Sequence, residues 1–457
     1  MGTFLATPRD WPLVLTGRAG AVAADPADLD RAVAAGAFDA LRRVVRDLGA
    51  TGTIATIAAS GLRGRGGAGT PTGENWRAAA SHDADQRYVV ANAFDADPGV
   101  HASATLLGAD PWVVIEGLAI AAFATGATEA ILALRADDAA LVTMLEGAVL
   151  AAEEAGFLGD DVLGSGHRVT VTVRPVQGAY MLGEETVLLK ALEGKRSQPE
   201  QQPPYPTERG LWEKPTVIDN VQTLAAVPWI IREGADRFAA IGGGGTSGEI
   251  GGSGGAAPGT ILVQLRGPAG AGIAEVPLGT PLRALVDLAG GSGSRSLKAL
   301  LVGGPTGGIL PADLLGTPYS ADALREAGAQ IGSGSVVIAD DRACVVDLAR
   351  LLTRFAADQA CGKTIPCRIG LRRLSEIGDR IAEGRPRPTD PALIGDLAHD
   401  IVASAMCDHE RFAVLPLTSA IRYFRSEIDD HLLRSTCPAG VCTPIAMAAG
   451  AATPGPR

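Results

Sequence analysis

Three groups of residues have types and spacings that could do chemistry. The first is Gly61-Leu62-Arg63-Gly64-Arg65-Gly66-Gly67-Ala68-Gly69-Thr70-Pro71-Thr72-Gly73, glycine-rich, with two arginines and Pro71 near its end. Glycine permits left-handed backbone and close approach of a ligand to the main chain. Bare N–H groups beside guanidinium groups suit a phosphate or a ribityl chain. Taken alone, the segment reads equally well as a plain surface loop. The second group is Gly178-Ala179-Tyr180-Met181-Leu182-Gly183-Glu184-Glu185-Thr186. Its adjacent carboxylates are either charges at a helix N-terminus or acceptors for a ring amide or ribose hydroxyls. The third group is Cys344, Cys361, Cys367, Cys407, Cys437 and Cys442, the only cysteines in the chain. Thiols of a cytosolic protein stay reduced, so this clustering points to metal or redox chemistry before disulfides. Scattered buried thiols are the plainer alternative.

Regular elements must position these groups. Residues 28–48 read as one helix, with Leu29, Val33, Phe38, Leu41 and Val45 at helical spacing. A short helix over 54–60 feeds the glycine loop, and 87–93 reads as a buried strand whose last polar residue is Asn92. An acidic turn follows, Phe94-Asp95-Ala96-Asp97-Pro98-Gly99. Helices over 110–125 and 139–155, with strands over 130–135 and 168–174, set a βαβ rhythm. That rhythm predicts an α/β layer with ligands at the carboxyl ends of its strands. Asp219-Asn220-Val221-Gln222-Thr223 opens another helix. Residues 241–258 are mostly Gly, Ser and Ala, a linker and domain boundary. A small α+β unit extends to about residue 335, and the pattern is helical from 341 onward.

The chain's 457 residues imply about two to four domains. With 46% hydrophobic and 20% charged residues it is globular, and a net charge of −11 argues against nucleic acid or anionic membrane as partner. The apolar run 112–127 is too short and interrupted to span a bilayer and reads as a buried helix. Residues 1–9 have no apolar core, so no secretory signal is expected. The expected location is cytoplasmic, at most peripheral to a membrane complex.

Together the motifs resemble the NADH-binding flavoprotein subunit of respiratory complex I and its relatives in NAD-linked hydrogenases and formate dehydrogenases. The resemblance is carried by the glycine loop, Gly178 to Thr186, Leu192-Glu193-Gly194, Pro203-Pro204-Tyr205-Pro206, Lys214-Pro215-Thr216 through Asn220, and Cys361-Gly362-Lys363. It implies a Rossmann-like α/β flavin domain with an N-terminal helical arm over 1–240, a linker over 241–258, a β-grasp (ubiquitin-like) domain over 259–335 and a helical iron–sulfur and zinc domain over 336–457. FMN would be held by Gly64, Arg65, Gly66, Gly67, Gly69, Asn92, Tyr180, Gly183, Glu184, Glu185, Asn220 and Thr223. Tyr205 is a further cofactor contact, with Glu185 and Asp97 as catalytic carboxylates. NAD(P)H would be the substrate, and electrons would leave singly through an iron–sulfur cluster to a ferredoxin-like or thioredoxin-like iron–sulfur subunit, or to a quinone-reducing partner. The alternative is a structural or assembly subunit that keeps the fold without turnover.

Departures from the family pattern mark where function could change. Thr70 stands for a Phe, Asn75 for a Lys, Ala78 near an expected aromatic, Phe94 for an Asp and Gln202 for a Lys. Asp95 and Asp97 stand where Glu residues are common. Thr364 replaces one cluster cysteine, leaving Cys361, Cys367 and Cys407 for a 4Fe-4S or 3Fe-4S centre. The resemblance also implies a zinc site of Cys344, His431, Cys437 and Cys442.

Overall fold

The structure, a computed structural model, describes residues 2–242 and 257–442, so most of the linker expected at 241–258 lies outside the described residues. The chain folds as two compact units, residues 1–264 with 273–280 and residues 265–272 with 281–457.

The first unit is built on a parallel sheet of β1 (Tyr88–Ala93), β2 (Glu129–Arg135), β3 (Thr170–Val176) and β4 (Thr216–Asn220), in the order β3-β2-β1-β4. Parallel neighbours need long crossovers, usually helical. The helix Pro111–Thr125 and the helix Ala139–Glu154 fall in those intervals, as the sequence rhythm predicts. Asp110 caps the first by accepting from Val113 N at 3.2 Å, Pro111 opens it, and Gly126 ends it at φ 74°. Only Phe123 of its residues is not buried, which makes it a core helix. Gly117 lets it pack closely: a Cβ there would lie 2.1 Å from the Leu224 carbonyl oxygen. Strand β4 is not legible in the sequence, because its polar end reads only as the start of the next helix.

The single helix expected over 28–48 is broken. Leu29–Ala34 and Asp39–Arg43 are separate helices, followed by a π turn over Val44–Leu48. Phe38 adopts φ 63° at the break, an unfavourable backbone for a bulky residue. Its fully buried ring stacks on Phe157 at 4.0 Å, and that packing overrides local helix preference. The preceding arm is clamped by buried Glu275, whose carboxylate accepts from Val14 N, Leu15 N, Thr16 N and the Thr16 and Thr260 hydroxyls at 2.6–2.9 Å.

The next elements run in β-grasp order: β5 (Thr260–Arg266), β6 (Ala271–Pro277), the helix Leu282–Leu288, β7 (Leu297–Val302), β8 (Gly308–Pro311), the helix Ala321–Glu326 and β9 (Ser335–Asp340). Strand β7 pairs antiparallel with both β8 and β9. The helices Val345–Gln359, Ile365–Ala382, Asp390–Ala403, Leu415–Tyr423 and Arg425–Leu433 follow, around a core that includes Leu371, Leu374, Ile377, Ile401 and Leu417. Among the described residues no single helix is long and apolar enough to cross a membrane.

Asp219 ties β4 to the helix Thr72–Ser81, its Oδ2 accepting from the buried Trp76 Nε1 at 2.8 Å. Burial pushes this carboxyl up to about 6, against the opposing pull of the Trp76 bond. An acid raised in the folded state weakens folding once ionised, so this penalty is complete above pH 6 and disappears as pH falls toward 3.8. Asp219→Asn keeps an acceptor for Trp76 without the charge. It is expected to stabilise the protein at mildly alkaline pH, by at most about 3 kcal/mol, with the gain fading in acid. Thermal unfolding across pH checks this.

Candidate functional site

The glycine loop, β1 and β4 converge at the carboxyl edge of the parallel sheet. Asn92 of β1 lies directly opposite Asn220 of β4 in register. Asn220 Nδ2 donates to the Asn92 carbonyl at 3.4 Å, and its Oδ1 accepts from Gln222 N at 2.9 Å, capping the helix Val221–Glu233. Asn92 Nδ2 donates to the Gly183 carbonyl at 3.5 Å, which brings the turn Tyr180–Gly183 to the same edge. A Cβ on Gly66 would stand 3.6 Å from Asn220 Cβ. Gly66, Asn92, Gly183 and Asn220 therefore border one region, beside a helix N-terminus whose partial positive charge favours anions.

The loop is closed at its base by Gly64 N donating to the Thr70 carbonyl (2.9 Å) and Thr72 N to the Leu62 carbonyl (3.0 Å). Gly66, Gly67 and Ala68 are exposed at its tip, and Gly67 and Gly69 have φ of 108° and 65°. At Gly67 and Gly69 glycine is what the backbone requires. Arg65, expected among the cofactor contacts, has its side chain committed to the protein. Its buried guanidinium donates to the carbonyls of Arg63, Pro258 and Thr260, and burial lowers its pKa to about 10. Its backbone N–H donates to Thr223 Oγ1 at 2.9 Å, so Thr223 positions the loop from a fully buried place.

The paired carboxylates have separate partners. Glu184 caps the helix Glu185–Leu192, accepting from Val187 N (2.8 Å) and the Thr186 hydroxyl (2.6 Å), so the helix-charge reading holds for it. Glu185 Oε1 accepts from Gln202 Nε2 at 2.8 Å. Asp97 is buried and accepts from Gly99 N at 2.9 Å. Asp95 accepts from Ser103 N and Ala104 N, and burial raises its pKa. Phe94 is buried with the Arg135 guanidinium 5.7 Å from its ring centre. Tyr180 is half-buried and Tyr205 exposed. Thr70 and Asn75 bond each other, Asn75 Nδ2 donating to Thr70 Oγ1 at 3.2 Å.

In the helical region, Cys367 and Cys407 are buried and Cys361 is half-buried. Burial, then the neighbouring Glu410, Cys407 and Cys361, push the Cys367 thiol up to about 12. The three cysteines are thus electrostatic neighbours, and holding several thiolates there calls for a cation. The Thr364 hydroxyl donates to Glu410 Oε1, and Glu410 Oε2 accepts from Met406 N at 2.7 Å. Sequence reasoning missed Glu410; its signal was a carboxylate three residues after Cys407 at the start of a buried helix turn.

Cys344, His431, Cys437 and Cys442 form a second cluster, their ligand atoms within 4.8 Å of one another. Cys344 Sγ lies 3.5 Å from His431 Nε2 and 3.7 Å from Cys442 Sγ, and Cys442 Sγ lies 3.5 Å from His431 Nε2. Donors about 2.3 Å (S) and 2.0–2.1 Å (N) from a tetrahedral ion would have such spacings. His431 Nδ1 is 2.8 Å from the Glu427 carbonyl, which fixes the ring and leaves Nε2 toward the sulfurs. Burial lowers the imidazole pKa, but Cys344, the Glu427 carbonyl and Cys437 together outweigh it and raise the pKa to about 9. Hydrogen bonding to Cys442, then burial, raises the Cys344 pKa.

Residues 57–229 match the Nuo51 FMN-binding domain, and 347–431 match the NADH-ubiquinone oxidoreductase-F iron–sulfur binding region. The chain is 37% identical over 422 residues to the NADP-reducing hydrogenase subunit HndC of Solidesulfovibrio fructosivorans, covering 92% of this chain and 84% of that one. It is 38% identical to the NADH-quinone oxidoreductase F subunit of Streptomyces coelicolor, covering 84% of each. A solved NAD+-reducing nickel–iron hydrogenase in the H2-reduced state superposes with a TM-score of 0.77 at 30% identity, over 87% of this chain and 65% of that one. The chain belongs to this flavoprotein subunit family.

The family brings FMN and a four-iron cluster, and both can be tested against the residues present. The glycine tip, the helix N-terminus and the paired Asn92 and Asn220 fit FMN: backbone donors for a phosphate, and side-chain amides for a polar ring edge. The cluster region offers three thiols, with a hydroxyl–carboxylate pair at the fourth place. Gly66→Val would put branched carbon against Asn220 at the cradle wall. It is expected to lower FMN retention at least roughly tenfold, about 1.4 kcal/mol, with helix content by circular dichroism unchanged. Flavin fluorescence of the denatured protein measures it.

Proposed function

We infer that the chain is an electron-transfer subunit that oxidises NAD(P)H with FMN and delivers electrons through an iron–sulfur centre. The observation that carries this reading is the cradle of Gly66, Asn92, Gly183 and Asn220 at the strand ends, inside the matched FMN-binding region. When bound, FMN accepts a hydride and releases electrons singly, a conversion that protein side chains do not supply. The loop tip and the N-terminus of the helix Val221–Glu233 would hold a phosphate, and Asn92 and Asn220 would offer side-chain amides to a polar ring edge. Glu184 fixes its helix, and Glu185 and Asp97 are the catalytic carboxylates of this reading.

The dinucleotide is held differently from the family pattern. Asn75 donates to Thr70 where a ring and a cation are expected, and Gln202 is bonded to Glu185. Each missing stacking partner removes about 0.5–1.5 kcal/mol, so NADH binds more weakly here than in members with both rings. The named relatives are subunits of hydrogenases and quinone oxidoreductases. This chain accordingly works as a subunit, and a ferredoxin-like or thioredoxin-like iron–sulfur protein is its electron acceptor. The scaffold alternative is disfavoured by the retained cradle.

Cys344, His431, Cys437 and Cys442 hold a closed tetrahedral ion, zinc by their donor set. The relatives' names mention no zinc, and the donor spacings alone support it.

Anaerobic NADH or NADPH is expected to bleach the flavin absorbance of the FMN-loaded protein. Bound FMN that neither dinucleotide bleaches would contradict turnover. About one zinc per chain is expected after desalting, and a Cys437→Ser/Cys442→Ser double variant should lose it. Zinc persisting there, by metal analysis, would refute the site.

A further inference from the structure

Four-iron clusters are normally held by four thiolates, and this region has Cys361, Cys367 and Cys407 with Thr364 at the remaining place. The other cysteines cannot substitute, because Cys344, Cys437 and Cys442 are gathered with His431. What the fold brings to position 364 is a carboxylate. Glu410 is 2% exposed, on the helix Asp408–Phe412 that starts directly after Cys407. Its Oε1 accepts from the Thr364 hydroxyl and its Oε2 accepts from Met406 N at 2.7 Å, and it is an electrostatic neighbour of the Cys367 thiol. One side chain therefore touches position 364, is an electrostatic neighbour of one cluster cysteine, and is three residues from another.

The Thr364 hydroxyl and the Met406 amide N–H that donate to Glu410 are both neutral. A buried carboxylate is expensive unless a positive partner compensates it. Two carboxylate oxygens carry about four lone pairs, so the bonds from Thr364 and Met406 leave capacity for a cation. A hydroxyl such as that of Thr364 is a poor ligand for a thiophilic metal, whereas carboxylate oxygen is an established iron ligand in proteins.

Resting on the iron–sulfur reading of this region, we propose that Glu410 is the fourth protein ligand of the cluster, binding through carboxylate oxygen the iron that Thr364 cannot hold. Thr364 is then a positioning residue: its hydroxyl orients the carboxylate. Oxygen is a harder donor than thiolate and holds this iron less firmly, so it is the iron lost first on oxidation.

The test uses full-length protein reconstituted anaerobically with ferrous iron and sulfide, assayed for both elements and by EPR. The unaltered protein is expected to hold about four irons and four sulfides per chain. Glu410→Gln, similar in shape but without the anionic oxygen, should hold about three irons and show the signal of an oxidised three-iron cluster. Adding Thr364→Cys to Glu410→Gln should restore the four-iron form. Glu410→Gln with an unchanged iron count and spectrum would overturn the proposal. So would an unaltered protein that remains a three-iron form after reconstitution with excess iron. A protein holding neither iron nor sulfide would instead overturn the cluster reading of the whole region, which separates the two failures. If Glu410→Gln misfolds, Thr364→Cys alone decides. It should slow loss of the fourth iron in air at least roughly tenfold, equivalent to about 1.4 kcal/mol in barrier, and an unchanged rate would overturn the proposal.

Discussion

The parallel pairing of β1 with β4 is the constraint on which the flavin half of the molecule depends. Register places Asn92 opposite Asn220, and a one-residue slip of either strand would turn its asparagine to the other face, away from its partner. That register is held by buried packing on both sides of the sheet and by Trp76 donating to Asp219, one residue before Asn220. Asn220 then starts a helix, Asn92 reaches Gly183, and Thr223 on the new helix anchors Arg65 in the glycine loop. One strand pairing thus fixes three loops, and the loops leave their exposed backbone where a phosphate-bearing ligand needs it.

Arg65 illustrates how a motif residue can serve the site through its contacts with the protein. Burying a guanidinium is costly unless its donors are used, and here three backbone carbonyls accept from it. The arginine therefore sets the shape of the loop. Glu184 is similar: its carboxylate is committed to a helix start, which locates Gly183 and Glu185. At the cysteine end the same economy appears. Every cysteine belongs to one of two groups, and the histidine of the closed group is oriented by a backbone carbonyl.

Much of the flavin unit was legible because its signals are periodic or compositional. The strands and the buried helix Pro111–Thr125 stand out by apolar runs bounded by Asp110, Pro111 and Gly126. What stayed hidden depends on tertiary contact. Strand β4 is too short and polar to announce itself, and the helix break at Phe38 follows from aromatic stacking that no local pattern encodes. Likewise the bond between Thr364 and Glu410 joins residues 46 positions apart, so the substitution of Thr for Cys could be seen in the sequence but not what stands beside it. The mutual bonding of Thr70 and Asn75 was hidden for the same reason, although both departures were visible.

The function inferred for this chain requires electrons to pass from a dinucleotide to the cysteine-bound cluster of the same chain. Rapid-freeze EPR of the FMN- and cluster-loaded protein, mixed anaerobically with NADH or NADPH, tests that passage directly. One of the dinucleotides is expected to generate the same reduced-cluster signal that dithionite produces. A cluster that dithionite reduces but neither dinucleotide does would contradict it.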